Sequence, residues 1–123
     1  MDRPAPHDLG TYGERLAARY LTESGYTIVA RNWRCARGEL DIIATEPGAL
    51  VFCEVKTRSS ELFGAPFEAV TRRKLGRLRR LCGLWLDSLG DGQRPPGDQR
   101  LDVISILKSP GGSARIEHLV GVS

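Results

Sequence analysis

Apolar and polar residues recur with two different periods along this chain of 123 residues. Residues 12–24 and 67–89 have apolar side chains at helical spacing. In the second segment they form one stripe: Leu75, Leu78, Leu81, Cys82, Trp85, Leu86 and Leu89. Five segments rich in β-branched or aromatic residues predict strands: 26–35, 39–45, 50–57, 100–107 and 114–120. Because stretches such as VISI are apolar on both faces, we predict an α/β fold, with a mixed sheet covered by helices on two sides.

The first helix has sequence signals at both ends. Thr11 and Glu14 fit a capping box, and Gly25 fits the helix end. A helical projection also places Glu14 on the apolar side that faces the sheet, so Glu14 either caps the helix or belongs to a site on the sheet. Residues 1–10 predict a flexible arm before a single domain of residues 11–123. Residues 36–38 predict a turn, and 59–66 and 90–99 predict loops.

Composition favours a soluble globular protein, with 41% hydrophobic and 27% charged residues. No apolar run approaches the roughly 18 residues of a membrane span, and nothing near the first residue resembles a secretion signal. We therefore expect a cytoplasmic protein without a membrane partner. The three cysteines are far apart and no histidine is near them in sequence, which favours buried thiols over a zinc site.

A predicted hairpin at residues 38–58, GELDIIATEPGALVFCEVKTR, places charged side chains inside an apolar run. If the turn is centred within the Pro-Gly dipeptide, Asp41 lies opposite Glu54. The same register puts Glu39 opposite Lys56, with all four side chains on one face. The other face carries Leu40, Ile42, Cys53 and Val55.

Two carboxylates that face each other across a hairpin, with Cβ atoms roughly 4.5–5.5 Å apart, repel. A buried pair of this kind shares a proton or holds a cation, and oxygen ligands suit Mg²⁺ or Mn²⁺. Lys56, one pleat beyond Glu54, could orient a water or stabilise charge on a phosphate. This combination fits metal-assisted hydrolysis of a phosphodiester. An exposed face with cross-strand charge pairs would explain Glu39 with Lys56, but not Asp41 with Glu54.

The second helix carries a cluster of positive charge, in a chain whose formal net charge is only +3. Residues 71–81, TRRKLGRLRRL, contain six of the eighteen lysines and arginines, which suggests an anionic partner; a solvated helix face is the alternative. Lys74 projects toward the apolar stripe, and we expect it to reach solvent rather than the acids. The predicted nucleic-acid contacts are Arg58, Arg72, Arg73, Lys74, Arg77 and Arg80. Trp33 and Trp85 are expected in the core.

Six stretches in order, TYGERLAARYL, GYTIVARNWR, GELDIIA, VFCEVKTRSS, FGAPFEAV and RLDVISI, resemble the YraN-like family of bacterial proteins. That family is described as predicted endonucleases of the PD-(D/E)XK, restriction-endonuclease-like superfamily, related to archaeal Holliday-junction resolvases. The resemblance implies a three-layer sandwich, with Asp41 and Glu54 as metal ligands and Lys56 as the catalytic lysine. It implies that Glu14 is the helix acid of the site, and that Glu39 is a supporting acid around the metal ligands.

The leading hypothesis is therefore a Mg²⁺- or Mn²⁺-dependent endonuclease that hydrolyses DNA, on branched or damaged substrates. Symmetric paired cuts in a junction would favour a homodimer. One alternative is a module that binds nucleic acid without cutting it, and another is a scaffold for protein contacts. Neither alternative has a use for Asp41 facing Glu54.

Overall fold

Five strands form one mixed sheet with a helix on each face, in a computed structural model that describes residues 8–59 and 71–122. The elements are α1 (Asp8–Glu23), β1 (Thr27–Cys35), β2 (Gly38–Glu46), β3 (Ala49–Ser59), α2 (Arg72–Asp87), β4 (Asp98–Lys108) and β5 (Ala114–Leu119). The strands lie in chain order, and β3 and β4 are parallel because α2 connects them, whereas the other neighbours are antiparallel. This confirms the α/β prediction and is consistent with a restriction-endonuclease-like sandwich.

Alternate strand residues build two separate cores. On the α1 side, Ala17 and Leu21 pack against residues that include Ile42 and Ile104. On the α2 side, the predicted apolar stripe packs on Phe52, whose ring centroid lies 5.8 Å from that of Trp85. The stripe is confirmed, although its terminal members, Leu75 and Leu89, are only partly buried. The predicted core position of Trp33 is also confirmed, since it packs against the same cluster.

The three cysteines are all free thiols, as predicted. Cys53 lies in the α1-side core and Cys82 in the α2-side core. Burial raises the pKa of the Cys82 thiol to about 12, so this thiol stays protonated and behaves as a small apolar side chain.

Helix α1 begins earlier than predicted and ends as predicted. Its first residue is Asp8, so the predicted arm is wrong for residues 8–10, and residues 1–7 lie outside the described part. Thr11 lies within the helix, so the predicted capping box is wrong. At the other end, Gly25 has φ 95°, and the Tyr26 amide donates to the Leu21 carbonyl at 2.9 Å. These features form a Schellman cap.

Helix α2 begins at Arg72 rather than at residue 67, because the Thr71 side chain caps it and accepts from the Lys74 amide at 3.2 Å. Residues 60–70, which include most of one predicted loop, lie outside the described part, whereas Ser59 from that loop belongs to β3. Of the two helices described, neither is long and apolar enough to cross a bilayer.

The β2–β3 hairpin has the predicted turn. Its paired residues run from Glu46 with Ala49 to Ile42 with Cys53, which matches a turn within the Pro-Gly dipeptide. The predicted partner of Glu39 is wrong. The ladder with β3 ends before Glu39, which pairs instead with Arg34 of β1 and forms a 2.9 Å ion pair with it.

A buried acid of β4, Asp102, lies on the α1 side of the sheet and is 0% exposed. One of its oxygens accepts from Arg100 Nε and from the Gly121 amide, both at 2.9 Å. The other lies 2.7 Å from His118 Nε2 and accepts from a second Arg100 nitrogen at 3.0 Å. Burial raises the pKa of Asp102, but the hydrogen bonds from His118 and Arg100 outweigh burial and hold that pKa below its usual value. Asp102 is therefore a fully paired structural carboxylate.

Candidate active site

One cleft of about 430 Å³ contains all four residues predicted to carry the chemistry. Glu14 enters it from α1, Asp41 from β2, and Glu54 and Lys56 from β3. The remaining lining residues are Arg37, Gly38, Glu39, Val55, Lys74, Arg77, Leu78 and Leu81. The cleft therefore joins residues that are up to 67 positions apart in sequence, from Glu14 to Leu81.

Asp41 lies where the regular pairing of β2 ends. Its Oδ2 accepts a hydrogen bond from the Val55 amide at 2.8 Å, so a carboxylate oxygen takes the place that a backbone carbonyl oxygen has in a regular strand pair. Opposite it on β1, Asn32 has φ 53°, a left-handed conformation uncommon for a residue other than glycine. The predicted alternation fails here. Leu40 packs in the α2-side core, whereas Ile42 packs in the α1-side core.

The Glu14 side chain lines the cleft as an acid and does not cap α1. It lies in the second turn of α1, beyond the capping positions, and half-buried. Burial and the nearby charge of Glu39 raise its pKa, and hydrogen bonds to Asp41 and Asn32 oppose that rise. Because the capping role is excluded, the alternative left open by the sequence is settled in favour of a position beside the sheet acids.

The environment of Asp41 disfavours the ionised form of its carboxyl group. It is only 9% exposed, and the single hydrogen bond that favours its charged form comes from Val55. Burial, followed by the charge of Glu54, raises its pKa to about 8, and Glu14 adds to the effect. The predicted repulsion between the acids is thus present. In water near neutral pH the Asp41–Glu54 pair retains a proton unless a cation takes its place.

Glu54 is held by two lysines on one oxygen. Lys74 Nζ lies 2.9 Å and Lys56 Nζ 3.3 Å from Glu54 Oε2. Burial raises the pKa of Glu54, but hydrogen bonding and charge from Lys74, followed by the charge of Lys56, lower it overall. The expectation that Lys74 reaches solvent is wrong, since its side chain is 21% exposed and bends from the first turn of α2 into the cleft.

The two lysines differ in how readily they lose a proton. Burial and the adjacent Lys74 lower the pKa of Lys56. Burial opposes charge on Lys74 as well, but its close pairing with Glu54 outweighs burial and raises its pKa. The shorter ion pair of Lys74 thus favours its charged form more strongly than that of Lys56.

The acid pair fits a hydrated hard cation. In the described part of the chain, no three His, Cys, Asp or Glu side chains are placed to enclose one ion. Mg²⁺ does not require such a cage, since it keeps several waters and is commonly held by one or two carboxylates together with substrate phosphates. The Asp41–Glu54 pair matches that mode, because a divalent ion would offset the repulsion from Glu54, which after burial is the next cause of the raised Asp41 pKa.

Arginines border the cleft on the α2 side. Arg77 of α2 and Arg37, from the turn between β1 and β2, both line it. Of the predicted nucleic-acid contacts, Arg72, Arg73 and Arg80 are exposed on α2 and Arg58 is half-buried on β3. Sequence reasoning missed Arg37, although an arginine in the turn directly before GELD was a usable signal. The sequence also placed Lys74 among the phosphate contacts, whereas its ammonium group forms an ion pair with Glu54.

Residues 13–106 match the model of the uncharacterised protein family UPF0102. The chain belongs to this family. This confirms the YraN-like resemblance, and the matched span contains Glu14, Asp41, Glu54 and Lys56. The chain is 53% identical to a UPF0102 protein of Beutenbergia cavernae over 114 residues, which cover 93% of this chain and 94% of that protein. It is 51% identical to a UPF0102 protein of Streptomyces griseus over 115 residues, which cover 94% of this chain and 95% of that protein.

Proposed function

We propose that this UPF0102 protein is a metal-dependent endonuclease of PD-(D/E)XK type that hydrolyses phosphodiester bonds in DNA. The observation that carries the proposal is a contrast between two buried aspartates in one sheet. Asp102 is paired on both oxygens, as a structural carboxylate should be. Asp41 accepts one amide hydrogen bond and otherwise faces other acids. A fold gains nothing from such an arrangement, whereas a cation-dependent site requires it.

Within this site, Mg²⁺ or Mn²⁺ bound by Asp41 and Glu54 would supply Lewis-acid polarisation of the phosphate and a more acidic water. Lys56, whose pKa is lowered, is placed to hydrogen-bond the attacking water and to take up or release its proton. The Lys74 ammonium stabilises negative charge that develops on the phosphate oxygens. Glu14 completes the wall that orients water on the α1 side.

Binding to the substrate is assigned to the arginines at the border. Arg37 and Arg77 line the same cleft as the acids, so they are placed to hold phosphates next to the one being cut. Guanidinium groups suit this role because they bind phosphate oxygens in pairs and remain charged at any physiological pH. The acids and the arginines thus lie side by side. The acids take part in the hydrolysis, and the arginines bind the DNA strand.

The test measures cleavage of duplex, single-stranded, flap and four-way-junction DNA by three proteins: wild type, Asp41→Asn and Asp91→Asn. Asp91 is an exposed loop residue, so Asp91→Asn is the matched control. Each substrate is incubated with Mg²⁺, Mn²⁺ or EDTA. We expect cutting that needs metal, is unchanged in Asp91→Asn, and falls at least about a hundredfold in Asp41→Asn. Binding without cutting, equal in all three proteins, would replace the nuclease by a non-catalytic binding module. Neither binding nor cutting would favour a protein scaffold.

A further inference from the structure

A second cavity, of about 300 Å³, adjoins the acidic cleft. It is lined by Ala36, Arg37, Arg77, Arg80, Leu81 and Leu84. Arg37, Arg77 and Leu81 line both cavities, so the two lie side by side. A strand that binds in the acidic cleft would therefore have this second cavity as its immediate neighbour.

The walls of this cavity are positively charged without compensation. Arg37, Arg77 and Arg80 take part in none of the ion pairs found among the described residues. By contrast, Arg19 and Arg34, which are also exposed, each have a carboxylate partner. Three arginines that line one cavity, with no carboxylate partner in the described part of the chain, form a site for an anion with several oxygens, such as a phosphate.

The position of Arg37 is fixed by close packing of its turn on α2. Gly38, the next residue, has φ 143°, and a Cβ added there would lie 3.3 Å from a Leu81 methyl. Arg77 and Arg80 are three residues apart and so lie on neighbouring positions of one helix face. The turn and the helix therefore both contribute arginines to the same cavity.

The cavity also has an apolar wall, which a phosphate alone would not need. Leu84 is 38% exposed, although it lies in a helix whose other leucines are buried or partly buried. Together with Ala36, it forms apolar surface next to the arginines. A nucleotide combines the two requirements, since its phosphate suits guanidiniums and its base or sugar suits an apolar or guanidinium face.

We propose that this cavity binds one unpaired nucleotide of the strand that enters the acidic cleft. Its phosphate lies on Arg37, Arg77 and Arg80, and its base or sugar lies against Leu84. A paired nucleotide is excluded because its base is stacked inside a duplex and cannot enter a concave pocket. The volume is at the small end for ligand pockets, which suits a single nucleotide. This inference rests on the proposed nuclease function, and it specifies substrates with an unpaired nucleotide beside the cut.

The test measures binding of a labelled six-nucleotide oligothymidylate and of a short duplex by fluorescence anisotropy in EDTA. The variants are Arg37→Ala, Arg80→Ala and Leu84→Ser, with Arg115→Ala on exposed β5 as the charge-matched control. We expect each arginine variant to weaken single-strand binding about tenfold and to reduce its salt slope by about 0.7. Leu84→Ser should weaken single-strand binding about fivefold and leave duplex binding unchanged. Arg115→Ala should resemble wild type.

The proposal is overturned if Arg37→Ala and Leu84→Ser bind the oligothymidylate as wild type does, or if wild type prefers the duplex. Because the assay contains no metal, its outcome is separate from that of the cleavage test. If binding depends on the pocket residues but no substrate is cleaved, the nucleotide pocket is supported and the nuclease proposal is contradicted. Metal-dependent cleavage by Leu84→Ser at the wild-type rate, on duplex DNA and on substrates with an unpaired nucleotide beside the cut, would support the nuclease and contradict the nucleotide pocket.

Discussion

Asp41→Asn should stabilise the protein in alkaline solution, although Asp41 is the central acid of the proposed site. The asparagine side chain retains an oxygen to accept the Val55 amide hydrogen, so the local hydrogen bond survives. What disappears is a carboxylate whose pKa is raised, mainly by burial and then by Glu54. The same substitution at Asp102 should have the opposite effect, because that carboxylate is fully paired and its pKa is lowered.

The sign and the size follow from proton linkage. A raised folded-state pKa means that the folded protein binds more protons than the unfolded chain between the ordinary value, 3.8, and about 8. Wild type should therefore lose stability as pH rises through that window, by at most about 1.4 kcal/mol per pH unit. Between about pH 5 and pH 8 the loss approaches about 4 kcal/mol. At about 3 °C of Tm per kcal/mol, this corresponds to a difference of roughly 12 °C.

The assay is thermal unfolding of wild type, Asp41→Asn and Asp102→Asn from about pH 5 to pH 8.5, with EDTA or Mg²⁺. The Tm difference between Asp41→Asn and wild type should grow with pH in EDTA and shrink when Mg²⁺ is added. Asp102→Asn should lower the free energy of unfolding by about 3 kcal/mol at neutral pH. A difference between Asp41→Asn and wild type that stays constant across pH would show that Asp41 is not destabilised by its charge, and the argument for a cation site would fail.

Three further substitutions test separate parts of the structure. Gly13→Ala should lower the free energy of unfolding by about 2 kcal/mol in urea titrations, because the added methyl group would lie 2.8 Å from Thr57 Cβ. If the variant were as stable as wild type, α1 would not approach β3 this closely. Lys74→Met should raise Mg²⁺ affinity at pH 8 about tenfold by calorimetry, since the Lys74 ammonium pairs with Glu54 Oε2 and competes with a cation for that carboxylate. Unchanged affinity would place the ion elsewhere. Thr71→Ala should cost about 1 kcal/mol in urea titrations through loss of the α2 cap, with no change in Mg²⁺ affinity.

Local patterns predicted the parts of this structure that depend on neighbours in sequence. The Pro-Gly turn fixed the β2–β3 register, because a two-residue turn leaves one way to pair the strands. The apolar stripe of α2 identified its buried face. The start of α1 was missed because Pro4, Pro6 and Gly10 suggested a break, whereas the helix continues back to Asp8.

Features that depend on tertiary distance were less accessible. A helical projection gave the direction of Lys74, but not that β3 lies close enough for it to reach Glu54. The acids of the cleft were found because they interrupt apolar strands. Asp102 interrupts RLDVISIL in the same way and was overlooked, since its partners, Arg100 and His118, are recognisable only once β4 and β5 pair.

The pairing of Asp102 also constrains the order in which the chain can fold. Until β5 docks, the carboxylate lacks His118 and the Gly121 amide, and burying it half-paired would cost about 3–5 kcal/mol. During synthesis, a chain that has emerged as far as Lys108 would thus contain all the other described helices and strands. It would still lack the partners that allow Asp102 to be buried beneath α1. Cutting the exposed turn at residues 110–113 should give a large fragment that stays loosely packed until a peptide of residues 114–122 is added.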